Sequence, residues 1–385
     1  MYAILLWWRH RHSGRPSDLY AALILLIGSL YAAQWMFGFA GWYDERDWRT
    51  TVMFYVEWSH LTALGPLVWL YFKAITNADF RWQLRYWWHF LPAGLFALIP
   101  LLLLGYDYLV HAGLRGEPFA DFGGTRGPAM EFAHGNLNWI GNIEDLFIHL
   151  QLPIYLVLTA LGYRAYRNYI AEEFAAGDEF DLNGLRVLLY ILIGGVFFAF
   201  ASDIIAYSRG IQSYADVWPK YFFISLLVFA SAIQFYALTP RRTRSLRFRA
   251  EPLRTNRQSE NSNERQPSTT DYAVWIERLE RQLEKHEDYL QPDLKLGDLA
   301  GRIGTNASIL SAAINSHYAA NFNDFINGKR CEAFLTRLQR DEHHERTLLS
   351  LALDSGFNSK STFNRAFRKR YGYPPGEAAA RLGSD

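Results

Sequence analysis

Six stretches of the first 240 residues are apolar over the length a bilayer-crossing helix needs, about 20 residues. Residues 19–39, 86–106, 146–163 and 221–239 contain no Asp, Glu, Lys or Arg; 51–72 carries only Glu57, and 187–208 only Asp203. Helices apolar on every face predict membrane spans rather than the surface helices of a water-soluble fold. Trp42, Tyr43, Trp48, Trp82, Trp87, Trp88 and Tyr106 gather near the ends of these stretches, as an interfacial aromatic belt requires. The opening MYAILLWW is apolar but only eight residues long before RHRH. It is expected to be either an interfacial stub or the tail of a truncated span.

The pattern changes at residue 241. Residues 241–271 are rich in Arg, Ser, Asn, Gln and Glu, with nothing that builds a core, and predict a disordered linker. Helical periodicity resumes at 272, where Ile276, Leu279, Leu283 and Leu290 mark one face. No β-alternation follows. The expected fold is all-α: a multi-span unit over 1–240, the linker, and a compact helical domain over 272–382.

Charge sharpens this division. Residues 1–240 hold 15 Lys+Arg against 19 acids and residues 241–385 hold 24 against 19, a net −4 and +5. Arg9, Arg11 and Arg15, then Lys73, Arg81 and Arg85, then Arg164 and Arg167, and finally the five Arg of PRRTRSLRFR fall in alternate connections. The intervening loops 40–50 and 107–145 are acidic or mixed. By the positive-inside rule the C-terminal half lies in the cytoplasm. The single cysteine, Cys331, excludes a disulfide framework and a Cys-rich metal site. No Walker loop, HExxH or GxSxG is present, so neither an enzyme nor a cofactor or metal site is expected.

Within 291–376 one pattern occurs twice: a short helix, a Gly turn, a second helix. In LKLGDLAGRIGTNASILSAAINSHY, Ala300 precedes Gly304 by four residues; in TLLSLALDSGFNSKSTFNRAFRKRYG, Ala352 precedes Gly356 by the same interval. A small residue and a turn Gly at this spacing let two helices cross closely, as in a helix-turn-helix. An amphipathic helix over about 321–340 joins the copies. The closing stretch GFNSKSTFNRAFRKRYGYPPGEAAARL resembles the ending of the AraC/XylS transcription regulators, GF-x-S-x-S-x-F-x-R-x-F-K/R-x-x-x-G-x-x-P. LSAAIN followed by NFNDFINGKR resembles a branch of that family whose N-terminal half is a polytopic membrane region. HLTALGPLVWLYFKAIT and HFLPA resemble that branch less specifically. Gly376 and Glu377 depart from the more basic ending of many relatives.

The second recognition helix, about 359–371, holds five basic residues and no acid. Lys360, Ser361, Asn364, Arg365 and Arg368 share the face opposite Phe363 and Phe367. Asn364 and Arg365 have the fork chemistry that reads adenine or guanine edges, whereas Arg368 and Lys369 suit phosphates. The first recognition helix offers Ser308, Ser311 and Asn315 and no base, which predicts positioning and shape readout. In the apolar half, Gln34, Glu57, His60, His149, Gln151 and Asp203 are expected at similar depth toward the outer side, with Lys220 at the mouth of the last span. Buried ionisable groups at membrane depth predict a cavity or a paired cluster.

The resemblance implies a bacterial inner-membrane protein. It would couple an outside or intramembrane signal, such as a small molecule, to binding of double-stranded DNA. A homodimer and RNA polymerase are its implied partners. The competing reading is a membrane receptor or transporter-like protein whose cytoplasmic domain binds another protein. A linker of about 30 flexible residues spans roughly 30 Å. On that expectation it transmits proximity between paired chains rather than a stroke or a rotation.

Overall fold

The computed structural model of this protein describes residues 1–56, 58, 60–77, 79–117, 119, 124–175, 182–209, 218–237, 269–340, 346–378 and 381. Its named elements are helices, and no strand occurs among the described residues, so the all-α expectation holds. The chain divides into two compact units: residues 1–163 with 182–249, and residues 164–181 with 250–385. The linker expected over 241–271 lies outside the described residues, except that 269–271 already belong to the first turn of a helix.

The first unit contains α1 (Tyr2–Ser13), α2 (Pro16–Phe39), α3 (Trp48–Tyr55), α4 (Leu64–Thr76), α5 (Leu91–Gly105), α6 (Pro128–Asn136), most of α7 (Asn138–Glu173), α8 (Asn183–Ser208) and α9 (Trp218–Ala237). Among the described residues, five helical segments are long and apolar enough to cross a membrane: Pro16–Phe39, Leu84–Leu114, Ile143–Glu173, Gly184–Ala206 and Trp218–Tyr236. Large apolar side chains on them stay exposed, among them Leu95, Leu98 and Leu101 on α5 and Phe197, Phe200 and Ile204 on α8. Water disfavours such faces; lipid does not.

The sixth expected span is corrected. Residues 51–72 do not form one helix: α3 stops at Tyr55, Val56 is extended, and helix resumes as a 3-10 turn at Leu61–Ala63 before α4. Pro66 sits in the first turn of α4, where its missing N–H costs nothing. The 13 residues of α4 reach only about 20 Å.

Small residues bring these helices together. A Cβ at Gly28 of α2 would stand 2.8 Å from Val228 of α9, and one at Gly162 of α7 would stand 2.6 Å from Phe72 of α4. Close backbone approach through such residues is how apolar helices associate without a hydrophobic drive. All but Met1 of the N-terminal MYAILLWW lies in α1, which turns back on α2 through Gly14 (φ 67°). Arg9 of that hairpin donates twice to Asp18, at 2.8 and 2.6 Å.

In the second unit, α10 (Thr269–His286), α11 (Leu296–Ile303), α12 (Ala307–Tyr318), α13 (Phe322–Gln339), α14 (Leu348–Asp354) and α15 (Lys360–Tyr371) enclose two cores. The first gathers Ile276, Leu279 and Leu283 of α10 with Leu299, Leu310, Ile314 and Phe322. The second gathers Phe334, Leu351, Phe357, Phe363 and Phe367. Helix α13 feeds both, Phe325 and Ile326 facing one and Cys331, Phe334 and Leu338 the other. Leu290 does not continue the α10 face as its spacing suggested. Glu287 turns left-handed (φ 48°) after His286, and Leu290 ends a separate 3-10 turn.

Candidate nucleic-acid interface

The two repeated patterns fold alike. Gly304 (φ 79°) follows α11 and Gly356 (φ 93°) follows α14, both left-handed, a conformation that favours glycine. In the first turn Thr305 N–H donates to Ala300 C=O at 2.9 Å; in the second Phe357 N–H donates to Ala352 C=O at 3.2 Å. Both alanines are buried where the helices meet. Each second helix then starts on a side-chain cap: Asn306 accepts from Ile309 N–H, and Ser359 accepts from Thr362 N–H.

The buried face of α15 carries Phe363 and Phe367, and the opposite side is exposed. Lys360, Ser361, Asn364, Arg365, Arg368 and Lys369 line one concave surface of about 1,050 Å³, closed on its other side by Thr347–Leu349 and Pro374–Gly376. The helix has no acid, and its last turn holds Arg368, Lys369 and Arg370. A convex, polar, basic helix bordering a groove is the shape that enters the major groove of DNA.

Residues 299–381 match a family model described as a helix-turn-helix domain. This is an AraC-type helix-turn-helix domain. No curated protein and no solved structure matches the chain. The match runs from within α11 to the end of the second repeat and leaves α1–α10 unassigned.

Three details of the domain refine the residue assignments. Lys369, expected on a phosphate, is held by both carboxylate oxygens of Asp324 of α13 at 2.7 Å, and Arg370 pairs with Glu332 at 2.9 Å. In the first copy Ser308 and Asn315 are exposed and Ser311 half-buried, with Asn315 donating to the Ser311 hydroxyl at 3.4 Å. Sequence reasoning overlooked Arg330, fully buried on α13, whose guanidinium donates to the carbonyls of Tyr289 (2.7 Å) and Gln291 (2.8 Å). Burial pulls its pKa down to about 10, so it remains a cation at neutral pH. The overlooked signal was periodic: Asn323, Asn327 and Arg330 recur at i, i+4, i+7 on an otherwise apolar face.

The polar residues of the apolar unit separate into groups. His149 Nε2 lies 3.7 Å from the Asp203 carboxylate, which pairs with Lys220. His149 also lines a cavity of about 170 Å³ with Ile24, Gly28, Tyr31, Leu64, Val228 and Ser231. Gln34 donates to the Tyr43 hydroxyl at 3.3 Å. His60 is half-buried and precedes the Leu61–Ala63 turn. Gln151 stands 13 residues into α7, which begins at Asn138, and donates to the His89 carbonyl at 3.4 Å. Glu57 lies outside the described residues.

Proposed function

We propose that this chain is a membrane-embedded transcription regulator that couples a signal received in its apolar unit to sequence-specific DNA binding. A DNA-binding regulator follows from the AraC-type domain; embedding and coupling are the further reading. The observation that carries it is the exposed face of α15, with six polar or basic side chains around one groove and no acid. A helix that docks a protein partner presents apolar anchors at i, i+3, i+4 and i+7. This face has none, which disfavours the protein-binding alternative.

Five apolar helices with exposed hydrocarbon faces support residence in a lipid bilayer. The cavity beside His149 is the place for a signal to enter. Its lining is apolar apart from Tyr31, His149 and Ser231, and its volume suits a small apolar molecule with one hydrogen-bonding group. A second copy of the chain and RNA polymerase are the partners this reading requires. The test is DNA binding by the full chain in nanodiscs, followed by fluorescence anisotropy at rising salt. Affinity should fall log-linearly with salt, with a slope of about −0.9 per phosphate contacted. No binding even at low salt would overturn the reading.

A further inference from the structure

The end of α7 belongs to the DNA-binding unit. Beyond Tyr163 the helix continues through Arg164–Glu173, with Tyr166 and Ile170 buried on one face. Phe174 and Ala175 follow the last turn of the helix, with the chain bending at Ala175. Phe174 bridges Lys295 in antiparallel fashion, and Ala175 N–H donates to the Leu294 carbonyl at 3.1 Å. Ala175 is fully buried within the first core of this unit.

Three side chains of α13 converge on the same two carbonyls. Asn323 Nδ2 donates to Phe174 and to Ala175, each at 2.9 Å. Asn327 Nδ2 reaches the Ala175 carbonyl at 3.2 Å and Arg330 Nη1 at 3.4 Å. Arg330 also holds the turn at 289–292, so it joins the chain leading into α11 to the chain leaving α7. Burying a guanidinium and two amides against carbonyl oxygens satisfies all of them only while Ala175 stays in place.

We propose that Phe174 and Ala175 are a docked strap: a second, non-covalent attachment of the DNA-binding unit, binding it to the end of α7. Residues 241–268 are then not its only tether. A helix carries rotation and translation along its length, unlike a chain of Arg, Ser, Asn and Gln. Leu294 and Lys295, which receive the strap, immediately precede α11, the first helix of the first helix-turn-helix. Movement of α7 is therefore delivered to that copy, whose recognition helix lacks bases of its own. The direction of this signal rests on the membrane reading above; the attachment itself does not, and its test needs neither DNA nor a ligand.

A protease site inserted near Ser259 of the full chain would be cut in isolated membranes, which are then washed in high salt and pelleted. The C-terminal fragment should stay with the membranes. It should be released by Asn323→Asp, which turns a carboxylate on two carbonyl oxygens, and by excess synthetic peptide of residues 164–181 acting on the unaltered protein. A scrambled peptide should release nothing. The peptide arm keeps the test valid if the variant fails to fold. Release of the unaltered fragment on cutting alone would overturn the proposal. So would retention despite both the variant and the peptide, since the attachment would then lie elsewhere.

Discussion

Arg365 and Lys369 stand on the same helix in different surroundings. Arg365 lies on the groove-lining face, where a guanidinium fork can read a base edge. Replacing it with Ala should cost about 1–3 kcal/mol on the preferred sequence and relax choice at one base pair. Equal loss on random DNA would make it a phosphate contact. With Asp324 also replaced by Asn, Lys369→Ala should weaken all sequences alike. Because Asp324 holds Lys369, Asp324→Asn should free the ammonium. Binding to random DNA should then tighten, and the salt slope should steepen by about 1. Cys331 tells a different story at the same scale. Burial in the second core pushes its thiol up from near 9 to about 12. Its contribution to stability is thus full below pH 9 and lost as pH climbs toward 12. Maleimide labelling of the native chain at pH 8 should be slow, and should become fast only with denaturant.

Local rules governed how well elements could be read in advance. Helices α13 and α15 fall within about a residue of their expected limits, because Asn321 and Ser359 cap them and Gly372 ends α15. Hydropathy located the core of α7 but not its ends, since Asn138, Glu144 and Arg164 are polar yet helical. It also averaged across the break at Val56, which a window of that length does not resolve. The face Asn323–Asn327–Arg330 was visible as a period; its occupant was not, because Phe174 and Ala175 sit in an acidic loop without a motif. Gly356 offers a sharp test of the second repeat. A Cβ there would stand 2.6 Å from the Tyr289 carbonyl oxygen, at a φ of 93°. Gly356→Ala should destabilise the domain by about 1–3 kcal/mol, read as a drop in Tm, whereas Gly376→Ala, which meets nothing, should not.

To meet chromosomal DNA, the AraC-type domain must lie on the cytoplasmic side of a membrane. The Lys/Arg pattern of the connections argues for that side. Alkaline phosphatase, active only outside the cytoplasm, should be active when fused within 107–145 and inactive when fused after Ala250. A reversed pattern would leave the recognition helices on the wrong side of the membrane. The most direct test joins membrane residence and DNA reading in one measurement. Cells expressing the intact chain would be cross-linked, and DNA recovered with the protein from washed membranes would be sequenced. Discrete enriched sites that disappear with Arg365→Ala are the predicted result; membrane-bound protein that recovers no enriched DNA would contradict it.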